Sequence, residues 1–172
     1  MNGEDVSGIR ERAPGAAQPP LVLIVEDRPD VQCTYGLCVR RAGYRVAFAS
    51  SGEEATAKAR ALHPEAMIMD LFLRGSDGWA AARAIRDDPS LDGVCILAIS
   101  GAAEPKIERL AYESGCDLFV SKACPIEGLL SILHGLIARK EVTFVSGTRL
   151  RAAREHHEHE HHDLEVPSQP TG

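Results

Sequence analysis

Apolar positions between residues 21 and 140 follow two alternating rhythms. Leu21–Val25 (LVLIV) is an unbroken apolar run that ends in Glu26 and Asp27. Such a run suits a strand covered on both faces, as in a parallel sheet. Pro29 and Asp30 open a segment that places Val31, Tyr35, Cys38 and Ala42 on one helical face, and Gly43 stops it. Tyr44–Ala49 reads as a second strand, and Ser50–Ser51–Gly52 as a turn into an Ala-rich helix over Glu53–Leu62. Ala66–Asp70 (AMIMD) is a third strand ending in a carboxylate, followed by a Gly/Ser loop and a helix over Gly78–Asp87. Val94–Ser100 is a fourth strand, and Pro105 starts a helix to Ser114 that Gly115 ends. Asp117–Ser121 is a fifth strand, followed at once by Lys122, and Pro125 starts a last helix to Lys140. Strands that alternate with helices predict an α/β fold, a parallel sheet with helices on both faces and right-handed crossovers.

The flanks differ in character. Residues 1–20 are polar, charged and rich in Gly, Pro and Ala, and read as a disordered tail. Residues 141–172 read as a charged His/Glu-rich tail, largely disordered or partly helical, with Glu141–Val145 as a short strand or docked extension. His157 and His161 would stand one turn apart if that tail were helical, a spacing able to chelate a metal; a solvated tail accounts for the same pattern. The domain boundaries drawn from this are 21–140 with a tail on each side.

Charge and cysteine usage narrow the function. The net charge of −6 and the absence of a Lys/Arg cluster argue against a nucleic-acid footprint, and no direct DNA binding is expected. No stretch approaches the roughly 20 apolar residues of a membrane span, and no apolar leader core precedes residue 21. Cys33, Cys38, Cys95, Cys116 and Cys124 are odd in number and contain no C-x-x-C, which predicts buried or half-buried thiols in a reducing, cytoplasmic setting.

The chemistry lies at the strand ends. In an open parallel sheet, ligands bind outside the carboxyl ends of the strands. Here those ends carry Glu26 and Asp27, Asp70, Ser100 and Lys122. Clustered carboxylates repel unless a cation sits among them. Mg2+ takes oxygen ligands and suits such a set. Asp27 and Asp70 are the expected direct ligands, with Glu26 acting through water. Asp70 is then placed to be a nucleophile that forms an acyl phosphate. The Lys122 ammonium, the Ser100 hydroxyl and the backbone around Phe72 are placed to share the phosphoryl oxygens or the metal.

Taken in order, these motifs resemble the receiver domain of two-component response regulators. The match runs over about Leu21–Lys140: Glu26–Asp27, D-L-F-L-R-G-S-D-G from Asp70 to Gly78, Ser100–Gly101, and G-C-D-L-F-V-S-K from Gly115 to Lys122. The resemblance implies a flavodoxin-like doubly wound sheet of five parallel strands in the order 2-1-3-4-5 with five helices. It also implies Asp70 as phosphoacceptor, Ser100 as switch hydroxyl and Phe119 as an aromatic that swings inward. Two positions depart from the family's pattern. Arg74 stands where most members carry proline. Ala123 follows Lys122 where proline in a cis bond is usual; a non-proline cis bond costs about 2.5–4 kcal/mol, so a trans bond or a rearranged loop is expected.

The resemblance thus implies a single-domain response regulator, a switch rather than an enzyme. It would accept a phosphoryl group from a sensor histidine kinase or histidine phosphotransfer protein and alter binding of a downstream protein target. The alternative is a degenerate receiver acting as a phosphorylation-independent interaction module. A phosphatase on the same fold would carry a second acid two residues past the nucleophile, where Phe72 stands. On the last helix Leu129, Ile132 and Leu136 widen the apolar stripe; a broad core face and a partner face, including a homodimer, both account for them.

Overall fold

The computed structural model describes residues 18–74, 77–102 and 104–146, with side chains to Ala138. Five strands, β1 (Leu21–Val25), β2 (Arg45–Ala49), β3 (Ala66–Asp70), β4 (Cys95–Ser100) and β5 (Leu118–Ser121), form one parallel sheet in the order β2-β1-β3-β4-β5. The helices are α1 (Pro29–Arg41), α2 (Gly52–Leu62), α3 (Gly78–Arg86), α4 (Pro105–Glu113) and α5 (Ile126–Ser146). A short 3-10 turn at Pro89–Leu91, absent from the sequence reading, joins α3 to β4. The fold is the parallel sheet with helices on both faces that the alternation predicts, in the doubly wound strand order that the resemblance implies.

Side-chain parity divides the core in two. On β1, Val22 and Ile24 enter the layer under α1 and α5, while Leu23 and Val25 enter the layer that includes α2 and α3. On β3 and β4 the same split separates Ala66, Ile68, Leu97 and Ile99 from Met67, Met69, Ile96 and Ala98. Because both faces are covered, β1 and β3 are buried at every position, which is why their sequences show no alternation.

Local signals set most ends. Pro29 stands at the start of α1, where its missing N–H costs nothing. Ser51 caps α2 by accepting from Glu54 N, and Asp77 caps α3 by accepting from the N–H groups of Trp79 and Ala80. Arg86, nearly buried, donates to Gly115 O at 2.8 Å, Val94 O at 3.3 Å and Asp117 Oδ2 at 2.8 Å. It thereby ties α3 to the segments entering β4 and β5.

Four expectations are corrected here. On α1 the expected Val31, Tyr35 and Cys38 are half-buried, but the fully buried residues are Gly36 and Val39, and Ala42 is exposed. Gly36 lets the helix lie directly on the Phe48 ring, which a Cβ would strike, and that close approach rotates the buried stripe. Glu141–Val145 is neither strand nor separate extension, because α5 continues through it to Ser146. Leu129 and Leu136 do not form an exposed partner face. Both are buried against the sheet with Leu133 and Ile137, and Ile132 is half-buried beside them. The core layer under α1 and α5 takes Leu129, Leu133, Leu136 and Ile137 of α5 as its buried side. The thiols differ in part too, for Cys33 is exposed. The N-terminal 17 residues and the His-rich tail lie outside the described residues.

Glu54 accepts from Lys58 Nζ at 2.6 Å and from Ser50 N and Oγ at 2.7 Å each. The Lys58 hydrogen bond, then the Ser50 donors, hold its carboxyl down at about 2. A carboxyl lowered by folding adds stability that is complete above its ordinary value near 4.5 and is lost as pH falls towards 2. Lys58→Met is therefore expected to raise the Glu54 pKa and flatten the fall of stability across that window. Carboxyl NMR titration with thermal melts at matched pH checks both.

Candidate functional site

Glu26, Asp70 and Lys122 meet at the carboxyl end of the sheet. Glu26, the residue after β1, is fully buried, and Asp70, the last residue of β3, is nearly so. The Lys122 ammonium, arriving from the end of β5, donates to Glu26 Oε2 at 2.8 Å and to Asp70 Oδ2 at 2.6 Å. Asp27 completes the acidic group, since one oxygen from each of Glu26, Asp27 and Asp70 lies within 4.8 Å of the others. The set consists of hard oxygen donors on two adjacent strand ends, which fits a divalent cation such as Mg2+. Of the three, Asp27 is partly exposed and faces the entrance beside Arg74, whose Nε lies 3.3 Å from Asp27 Oδ2.

The charges are strongly coupled. Burial pushes the Glu26 carboxyl above the ordinary glutamate range, further than the Lys122 hydrogen bond pulls it back. Burial also works against the Lys122 charge, but Asp70 and Glu26 together outweigh it and hold the ammonium above its usual value. The Tyr35 phenol on α1 feels the same field: burial raises it, the Lys122 charge opposes, and Glu26 and Asp70 add to the rise.

Backbone groups fix the two carboxylates. Asp70 Oδ1 accepts from Phe72 N at 3.0 Å, and Glu26 Oε1 accepts from Arg28 N at 3.2 Å. Gln32 supplies a feature the sequence reading lacks: its amide donates to Glu26 O at 2.6 Å and Ala49 O at 3.1 Å. It clamps the turn that carries Glu26 and Asp27 to the end of β2. No local pattern marks this glutamine, because its acceptors are two backbone carbonyls on different strands. Gly78, the last residue of the D-L-F-L-R-G-S-D-G run, opens α3 directly against the acceptor strand. A Cβ there would stand 2.6 Å from Asp70 O and 2.9 Å from Leu71 O.

Ser100, at the end of β4, is fully buried, and its hydroxyl accepts from Ala102 N at 3.0 Å. Ser100 O accepts from Lys122 N at 2.7 Å, so the hydroxyl and ammonium positions share one backbone link. Phe119 on β5 is half-buried against the layer containing α4's Ala111. Phe72, whose backbone was expected at the metal, turns its ring outward, half exposed, with the Trp79 ring edge-on at 5.9 Å and 89°. The Lys122–Ala123 bond is trans, and Ala123 N–H donates to Ser121 Oγ at 3.2 Å. The loop keeps Lys122 in the site without a proline. Ile132, Leu129 and Leu136 lie on α5, in the core rather than at this cluster.

Fold and site together define an α/β domain of the receiver type, with an acidic cluster and a lysine at the carboxyl end of its sheet. The chain belongs to the family described as the response regulator receiver domain, whose model matches residues 22–134. It is 32% identical over 135 residues to a probable transcriptional regulatory protein, TcrX, from Mycobacterium tuberculosis, an alignment covering 77% of this chain and 56% of that protein. A putative response regulator from Chloroflexus aurantiacus superposes with a TM-score of 0.67 at 30% identity, over 70% of this chain and 99% of that one. The receiver domain of a sensor histidine kinase from Pseudomonas aeruginosa, solved with a magnesium ion coordinated in its active-site cleft, gives 0.65 at 28%, over 70% and 98%. The chain spans about half the length of curated relatives such as TcrX, at 56%, and a cyanobacterial regulator, at 51%. Among the described residues no helix is long and apolar enough to cross a membrane.

Gly78→Ala is expected to destabilise the protein by about 1–3 kcal/mol through overpacking. Helix propensity alone would favour alanine by roughly 0.5–1 kcal/mol, so the sign separates the two effects. Urea unfolding measures it.

Proposed function

We propose that this chain is a phosphorylation switch in which Asp70 accepts a phosphoryl group from a phosphohistidine on a sensor kinase or phosphotransfer protein. The observation that carries this reading is the Lys122 ammonium held between Glu26 and Asp70, with the Asp27 carboxylate in the same cluster. An Asp70 carboxylate oxygen attacks phosphorus, the P–N bond breaks, and its electron pair returns to the imidazole as the acyl phosphate forms. Asp27 and Asp70 would hold Mg2+ directly, with the Phe72 carbonyl, and Glu26 through water. A bound Mg2+ supplies positive charge against the phosphoryl oxygens in a pocket that is otherwise acidic. Lys122 adds a second charge on those oxygens, and the Ser100 hydroxyl donates to one of them.

Binding of Ser100 to the phosphoryl group would draw on the β4–α4 loop. Phe119, one strand away and half-buried, would turn inward in response and bias the α4–β5–α5 region between two arrangements. That region then presents a changed surface to a downstream protein. The reading makes the chain a switch that assists its own phosphorylation rather than an enzyme with a separate substrate. The net charge of −6 and the reduced thiols support a protein partner and a cytoplasmic setting. The rival reading, a phosphorylation-independent interaction module, drew its support from Ala123; a Lys122 that still contacts Asp70 favours the active site instead.

Incubation with acetyl phosphate and Mg2+ should give one phosphoryl adduct by intact mass. Asp70→Asn or chelation of the metal should abolish it, and a wild type that stays unmodified would refute the reading. The exposed Phe72 ring positions no water at Asp70, so the adduct should be long-lived. Phe72→Gln, which supplies a water-binding amide, should shorten its lifetime severalfold in a phosphate-release assay.

A further inference from the structure

Arg74 lies on the loop after β3, four residues beyond Asp70, yet its Nε sits 3.3 Å from Asp27 Oδ2 on the loop after β1. The neighbouring cations are otherwise engaged. Lys122 serves Glu26 and Asp70, and Arg28 places its guanidinium 2.7 Å from Asp30. Arg74 is thus the cation set against the most accessible carboxylate of the acidic cluster. The Arg74 side chain is 84% exposed and that of Asp27 only 13%, so the arginine covers its partner from the solvent side.

We propose that Arg74 is an internal competitor for the divalent-cation site, occupying Asp27 until a cation displaces it. The proposal rests on the reading of Glu26, Asp27 and Asp70 as a cation site. Three physical points carry it. A guanidinium stays charged at every accessible pH, so deprotonation cannot release Asp27. A divalent cation needs the same Asp27 oxygens and repels the guanidinium beside them. Arg74 is highly exposed, so it can swing into water with little loss of packing. The exchange sets the cation affinity of the resting state without blocking the site.

The size of the effect follows from that exposure. An ion pair this open is worth about 0.2–1 kcal/mol, which corresponds to roughly 1.4- to 5-fold in a dissociation constant. Arg74 therefore acts as a modest brake. A rise in free Mg2+ of the same factor would overcome it.

The test is direct titration of Mg2+ into the purified full chain, read by calorimetry and by emission of Trp79. Trp79 is the sole tryptophan and meets Phe72, two residues from Asp70, edge to face. Neither readout depends on phosphorylation. Arg74→Gln should tighten Mg2+ binding by about 1.4- to 5-fold. Arg60→Gln removes the same charge from a pair with Asp88 between α2 and the segment after α3, and should leave affinity unchanged. Equal affinity in wild type and Arg74→Gln overturns the competition while leaving the cation site intact. Equal tightening by both variants also overturns it, because net charge would then be the cause. If no variant binds Mg2+ saturably, the cation-site reading falls and the proposal with it.

Discussion

Two carboxylates that repel one another are buried side by side at the end of this sheet, and the Lys122 ammonium between them makes that arrangement tolerable. Removing either acid would leave the lysine half-neutralised; removing the lysine would leave two buried carboxylates facing each other without a cation. Much of the surrounding architecture serves this contact. β1 and β3 are central and adjacent, so their terminal acids come together. β5 sits at the sheet edge, and Lys122 reaches across the end of β4 to meet them. The backbone link from Lys122 N to Ser100 O sets the height from which the side chain starts.

The site is costly to the fold. Glu26 is fully buried and its carboxyl is pushed up by that burial, a sign that the charged form is held against its preference. The protein offsets this with backbone donors and with rigid placement: Phe72 N on Asp70, Arg28 N on Glu26, and Gln32 bridging two strand ends. Gly78 belongs to the same scheme. Only a residue without a side chain lets α3 begin against the Asp70–Leu71 backbone. Such features are expected where a site needs acids closer together than stability alone would set them.

Surface chemistry is sparse by comparison. The apolar stripe of α5 is consumed by the core, so partner contacts cannot rest on Leu129 or Leu136. The large apolar side chains left exposed among the described residues are Leu37 on α1, Leu62 at the end of α2 and Phe72 beside the site. Phe72 is the one of these that lies next to the chemistry, and its exposed ring meets Trp79 edge-on.

The sequence by itself determined the five strand–helix units, the two-faced burial of β1, and the residues at the strand ends. Runs such as LVLIV and AMIMD have no alternation to misread, and acids, hydroxyl and lysine follow them at once. It also carried Gly78, though only as part of a motif. Tertiary structure decided the rest, because each remaining feature joins residues that are distant in the chain. The pairing of Arg74 with Asp27 bridges two loops, Gln32 bridges two strands, and Arg86 bridges α3 to the approach to β5. The shift of the buried row on α1 has the same origin: helical period says which residues align, but contact with Phe48 through Gly36 says which row is buried most deeply. On α5, hydrophobic pattern could not tell a broad core face from a docking face, since both need the same apolar residues. Only the thickness of the two core layers resolves it, and that is a property of the assembled sheet.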